Sequence, residues 1–119
     1  MFDYAQVQLL GRATKDAELH HIHDEEHVAR ATFTVACNIP TRRRGEVVKT
    51  TIYRRVMALG SFANYVADCQ QNGGLKGRLI NVVGVMADER VGDEEYIEIT
   101  RVAPGSGAIK IMDRRNNDG

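Results

Sequence analysis

The chain of 119 residues has the length of about one domain, which favours a single fold around one hydrophobic core over a two-domain enzyme built around a cleft. Sixteen basic and sixteen acidic side chains give a formal net charge of zero, which argues against a uniformly basic nucleic-acid protein. Because 43% of the residues are hydrophobic and 27% are charged, the composition also excludes a disordered chain.

The sequence also lacks the features of membrane and secreted proteins. It contains no run of roughly 18 apolar residues that could span a membrane, and its N-terminus lacks the pattern of a signal peptide. We therefore expect a soluble cytoplasmic protein without membrane contact. Cys37 and Cys69 are too few for a disulfide framework or a zinc site, so we expect two buried, reduced thiols.

The charges are distributed unevenly along the chain. Residues 41–55 contain six bases against Glu46 alone: Arg42, Arg43, Arg44, Lys49, Arg54 and Arg55. Residues 16–27 contain five acids and no Lys or Arg, and residues 88–98 contain six acids against Arg90. The net charge is therefore zero because basic and acidic segments cancel, and the electric field at one surface can still be large.

The first half of the chain predicts three strands. The short apolar run 7–10 before Gly11 is the first, and residues 30–39 form the second, because their apolar side chains alternate with polar ones. The acidic, His-rich connection between them is long enough for a hairpin loop. Residues 47–59 form the third strand, with Lys49, Tyr53 and Arg55 on one face and Val56 on the other.

The second half predicts a helix and more strands. After the candidate N-cap Ser61, apolar residues recur with helical spacing until the Gly73-Gly74 stop. Residues 78–86 and 96–102 form a hairpin, and residues 109–112 form a last short apolar piece. An all-β chain with one helix between strands 3 and 4 predicts a five-stranded Greek-key OB barrel over residues 1–112, with a short polar tail at 113–119.

Several segments resemble bacterial-type single-stranded DNA-binding proteins. The opening segment 7–12 and the turn 16–19 resemble the family's first strand and Asp-Pro-Glu turn, with Ala17 in place of Pro, and 31–36 is similar to its second strand. The strongest match is 53–64, which begins with Tyr53 where the family carries a stacking Trp, and has Leu59 in place of a Phe. Gly84 and residues 109–112 fit the fourth and closing strands.

The resemblance implies an OB-fold protein that binds single-stranded DNA with little sequence preference, in replication, recombination or repair. It also implies a homo-oligomer, usually a tetramer, with possible contacts to replication or repair proteins. Because the sequence has no nucleophile elbow, phosphate-cradling glycine loop or HExxH motif, we expect no catalytic activity, and we expect no cofactor. The candidate DNA-binding residues combine a stacking ring with cations along a backbone path. They are Tyr53, Arg55, Lys49, Arg12, Arg90 and, on the loop joining strands 2 and 3, Arg42, Arg43 and Arg44.

The residues themselves leave alternatives open. Tyr53 could be a core or interface aromatic instead of a stacking residue. Since the chain contains no Trp, it could also be an OB-fold protein-interaction module, a primosome-like accessory or a divergent paralogue, with weak or no DNA binding. The four histidines at 20, 21, 23 and 27 could bind a metal, although their spacing matches no closed site. A pH-sensitive loop is the favoured interpretation, because imidazoles that gain charge near pH 6 would offset the neighbouring acids.

Overall fold

The computed structural model describes residues 5–21 and 28–112. It contains one helix and seven strands in that part of the chain. In chain order they are β1 (Gln6–Ala13), β2 (Glu18–His21), β3 (Val28–Arg43), β4 (Glu46–Leu59), α1 (Ser61–Gln71), β5 (Leu79–Arg90), β6 (Tyr96–Val102) and β7 (Ala108–Ile111).

Five of the strands close into a barrel. The order around it is β1-β3-β4-β6-β5, and β5 pairs again with β1. The pairing of β4 with β6 is parallel, while the other pairings are antiparallel. The short strand β2 adds to β3, and β7 adds to β5. The predicted OB barrel is thus confirmed, with the helix after the third barrel strand; β2 makes that strand the fourth in chain order.

Alternating apolar side chains build the core of the barrel. On β4 the fully buried apolar positions are Val56 and Ala58, and on β5 they are Ile80 and Val82. The helix α1 closes one side with Ala63 and Val66. Because side chains of a strand alternate between its faces, residues one position away from these point out of the barrel. This alternation defines the outer face on which the candidate site lies.

Two glycines allow barrel strands to approach closely. A Cβ on Gly11 would lie 2.3 Å from the carbonyl oxygen of Ala36 on β3, and one on Gly84 would lie 2.6 Å from that of Arg101 on β6. No real side chain tolerates such distances. Gly11 therefore belongs inside β1, where it lets β3 pass, rather than at the end of the strand.

The start of the helix differs from the prediction. Ser61 is the first helical residue, and Gly60 occupies the N-cap with a φ of 60° and no side-chain cap hydrogen bond. The side-chain amide of Asn64 donates to the carbonyl oxygen of Gly60 at 3.1 Å, which ties the N-cap backbone to the first turn without satisfying a free N–H group of the helix. The positive φ favours glycine at this position.

Some predicted boundaries also change. The second barrel strand, β3, continues past residue 39 to Arg43, and part of the predicted hairpin loop, Glu18–His21, pairs with β3 as a strand. Residues 22–27 and the predicted tail at 113–119 lie outside the described residues. Within the described ranges, no helix has the length and apolar character needed to cross a membrane.

Candidate nucleic-acid interface

A long hairpin of β3 and β4 carries most of the candidate cations. Its strands pair from Arg30 with Leu59 up to Arg43 with Glu46, so only Arg44 and Gly45 form the turn. Both turn residues have positive φ, 53° and 81°. This is the backbone that a two-residue type I′ turn requires, and its twist matches the twist of the flanking strands.

The hairpin corrects the predicted location of three arginines. Arg42 and Arg43 lie in β3 and only Arg44 lies in the turn, so the expected loop is a strand end. The ladder extends because Val47, Val48 and Thr50 on β4 favour a strand. Alternation places Arg42 and Lys49 on the face of Tyr53 and Arg43 on the opposite face. All four cationic side chains are exposed.

Tyr53 projects from the outer face of the barrel. Its side chain is 60% exposed, while Val56, three residues later on the opposite face, is fully buried. This exposure excludes Tyr53 from the core, so a ligand or a partner-subunit surface can still cover its ring. An exposed phenol ring on a strand is suited to stacking on a nucleic-acid base.

A row of paired residues connects Tyr53 with Arg12. Tyr53 pairs with Ala36 on β3, and Ala36 pairs with Arg12 on β1. Paired residues project on the same face of a sheet, so the ring and the guanidinium lie on either side of the small Ala36. Arg12 is exposed, and its Nη1 donates to the carbonyl oxygen of Gly77 at 3.0 Å. This contact ties the guanidinium to Gly77, just before β5, on the side of β1 away from Tyr53.

The two arginines that follow Tyr53 are paired with acids. Arg55 Nε lies 2.9 Å from Glu89 Oε1 on β5, and Arg54 Nε lies 3.8 Å from Glu98 Oε2 on β6. The Arg55 pair spans β6, which lies between β4 and β5 in the barrel. The positive charge of residues 41–55 is therefore largely compensated at Arg54 and Arg55. It is uncompensated towards the hairpin turn.

The last candidate cation, Arg90, is bound to its own turn. Its Nε donates to the carbonyl oxygen of Gly92 at 2.9 Å, and its Nη2 donates to that of Asp93. These bonds occupy one edge of the guanidinium within the β5–β6 hairpin. The DNA contact of Arg90 stays a prediction, and it would have to use the flat face of the group or its remaining N–H donors.

The structure provides only part of the predicted histidine and cysteine chemistry. His20 and His21 lie on β2 and are exposed, whereas His23 and His27 lie outside the described residues. Within the described ranges, no three His, Cys, Asp or Glu side chains form a group that could hold a metal ion. Cys37 is a buried free thiol, as predicted, but Cys69 on α1 is only half-buried.

Sequence reasoning did not identify Glu89 and Glu98 as partners of the β4 arginines. They are more than thirty residues away in sequence and belong to the acidic segment 88–98. The opposite charges of the two segments were visible, but pairing required the barrel order. A second unrecognised feature is a set of exposed apolar side chains on the β3–β4 hairpin: Ile39, Val47 and Val48.

Comparison with known proteins establishes the fold. No protein-family model and no curated protein matches the sequence. Among solved structures, the SSB of Plasmodium falciparum in complex with ssDNA matches with a TM-score of 0.72 and 21% identity over 95% of this chain and all of that one. A small single-stranded DNA-binding protein from Streptomyces coelicolor matches with a TM-score of 0.63 and 12% identity, over 93% of this chain and 96% of that one.

Proposed function

We propose that this protein binds single-stranded DNA with little sequence preference. The observation that carries the proposal is the row on the outer face of the barrel, in which exposed Tyr53 lies in register with Arg12 and shares its strand with Lys49. A stacking ring between cations is the arrangement that binds a flexible, charged strand without base-specific hydrogen bonds. The shared fold with two DNA-binding proteins supports the same conclusion.

In this proposal the cations and the ring have separate roles. Arg42, Arg43, Arg44 and Lys49 neutralise phosphates and release counterions, so binding weakens as salt rises. Tyr53 stacks on one base, which contributes roughly 1 to 3 kcal/mol. Since the chain has no Trp, stacking is limited and the binding is mostly electrostatic.

The biological setting is part of the proposal. We infer a binding protein rather than an enzyme, which acts on DNA in the cytoplasm during replication, recombination or repair. We also infer a homo-oligomer, a tetramer or a dimer, because a second copy would cover strand edges that otherwise favour aggregation. Size-exclusion chromatography with light scattering tests the oligomer directly, and a monomeric mass contradicts it.

The alternative function is a protein-interaction module with the same fold. It is favoured by the exposed apolar residues Ile39, Val47 and Val48, which a DNA-binding hairpin does not need. In this alternative the hairpin contacts a protein partner, and Tyr53 belongs to that interface.

A fluorescence titration with a dT oligomer separates the two functions. It should be performed at about 50 mM and about 200 mM salt, because phosphate contacts give a strong dependence on salt over this range. The proposal predicts binding that weakens at the higher salt and weakens further in Tyr53→Ala. Absence of binding at the lower salt contradicts the proposal and favours the interaction module.

A further inference from the structure

The ion pair between Arg55 and Glu89 differs from the other charges near Tyr53. Its Nε to Oε1 distance is 2.9 Å, and the side chains are 36% and 19% exposed. The carboxylate is thus mostly shielded from water and lies within hydrogen-bond distance of the guanidinium. Charge-assisted hydrogen bonds of this kind are stronger than those between neutral groups.

The pair places opposite charges where DNA would pass. Arg55 lies two residues after Tyr53 and on the same face of β4. A phosphate that approaches Arg55 meets a cation whose charge is already compensated by Glu89. Counterion release favours binding only where the protein supplies uncompensated positive charge, so this position contributes little.

The cations on the other side of Tyr53 are not compensated in this way. Within the described residues, Arg42 and Lys49 make no ion pair with an acid. Arg12 binds a backbone carbonyl, which carries no net charge. The electropositive part of the face therefore runs from the hairpin turn to Tyr53 and then across β3 towards β1.

We propose that Glu89 masks Arg55 from phosphate and so sets the edge of the DNA path on the barrel, an inference that rests on the proposed function. Bound DNA follows the β3–β4 hairpin to Tyr53 and turns towards Arg12 instead of crossing β6. Glu89 is a specificity-determining residue in this scheme. Without its charge, Arg55 becomes an additional phosphate site.

Four proteins test the inference by titration with a dT oligomer: the wild type, Arg55→Gln, Glu89→Gln and the double variant. Glu89→Gln keeps an oxygen that accepts from Arg55 Nε, so it removes charge with little change in shape. We expect it to tighten binding about fivefold at low salt and to steepen the salt slope by about 0.7, the value for one single-strand phosphate.

The other two variants separate masking from direct contact. Arg55→Gln leaves the charge of Glu89 unpaired beside the DNA path, so binding should weaken by about fivefold, while the double variant should return to within about twofold of the wild type. The control is Glu94→Gln, which also removes one negative charge, but from an exposed position at the turn of the β5–β6 hairpin, to which Glu89 belongs. It should change the affinity less than Glu89→Gln does.

The possible failures are distinguishable. If the wild type does not bind the oligomer, the proposed function is wrong and the inference is wrong with it. If the wild type binds, but Glu89→Gln does not differ from it and the double variant equals Arg55→Gln, then Arg55 contacts DNA directly and only the masking is wrong. As a second test in the wild type, the NMR signal of Arg55 Nε–H should keep its position when the oligomer is added, and a large shift contradicts the masking.

Discussion

The β3–β4 and β5–β6 hairpins are built alike but carry opposite charges. Each is an antiparallel pair of barrel strands that runs on beyond the core into an exposed turn. The first presents bases around the Arg44-Gly45 turn, while the second presents acids around Gly92. Each also carries one tyrosine that is 60% exposed, Tyr53 in the first and Tyr96 in the second.

The comparison shows that the strand architecture does not decide what a hairpin of this barrel binds. The same extended ladder attracts phosphates when it is basic and repels them when it is acidic. Two ion pairs between the hairpins, Arg54 with Glu98 and Arg55 with Glu89, mark where one field ends and the other begins. The net charge of zero thus describes a protein with two electrically different surfaces.

Removing the positive charge of the β3–β4 hairpin, the basic hairpin, should give the largest loss of DNA affinity. We expect the combined variant Arg42→Gln, Arg43→Gln, Arg44→Gln and Lys49→Gln to lower the affinity for a dT oligomer by about 100-fold at low salt and to reduce the salt slope by about 3. The matched control, Glu94→Gln with Glu95→Gln, alters the acidic hairpin and should not weaken binding. Equal losses in both variants would remove the distinction between the hairpins.

The two tyrosines provide a test of stacking at equal exposure. Tyr53→Ala should weaken binding by about fivefold to about 150-fold, since one stacked base contributes roughly 1 to 3 kcal/mol. Tyr53→Phe keeps the ring and should bind within about threefold of the wild type. Tyr96→Ala lies in the acidic hairpin and should leave the affinity unchanged. A larger loss of affinity in Tyr96→Ala than in Tyr53→Ala would place the stacking surface on the β5–β6 hairpin and contradict the proposal.

The two turn residues of the basic hairpin allow the effect of backbone conformation to be measured separately from the effect of charge. Gly45 has a φ of 81°, and a β-branched side chain there is strained. We expect Gly45→Val to lower the free energy of unfolding by about 1 kcal/mol or more, measured by urea denaturation. Arg44→Gly suits the same turn and should leave the stability intact, while reducing the salt slope of DNA binding by about 0.7. A stable Gly45→Val protein would mean that the turn does not require a positive φ.

The smallest effect is expected for the Arg54–Glu98 ion pair at the boundary between the hairpins. Arg54 and Glu98 lie 3.8 Å apart and their side chains are about half exposed, at 44% and 48%. Exposed pairs of this kind contribute little, so Glu98→Gln should change the free energy of unfolding by less than about 0.5 kcal/mol. Thermal denaturation of the wild type and of Glu98→Gln at low and high salt measures this change in stability. A clearly larger loss would show that the hairpins are held together by this contact.

The sequence predicted the barrel well because its strands alternate. Val56 and Ala58 point inward, and Tyr53 points outward, as period-two patterning requires. The helix and the closing strands followed from a change of period and from Gly and Pro positions. The boundaries of β3 and β5 were less accurate, since these strands continue past residues 39 and 86 as exposed ladders where no core side chain marks their ends, while β4 agrees within one residue.

The site was predicted only as a set of residue types. Basic residues and one aromatic pointed to a nucleic-acid surface, and the strand face shared by Lys49 and Tyr53 agrees with that expectation. Sequence could not reveal that Glu89 lies against Arg55, because that contact depends on the order of β4, β6 and β5 in the barrel. Nor could it reveal that the guanidinium of Arg90 is bound to its own turn.

Amide-resolved NMR of the protein during titration with a dT oligomer tests the central claim most directly. We expect signals from the β3–β4 hairpin, from Tyr53 and from Arg12 to shift as DNA is added, while signals from residues 91–95 of the β5–β6 turn stay in place. Shifts concentrated in the β5–β6 turn, or no shifts at all at low salt, would contradict the account.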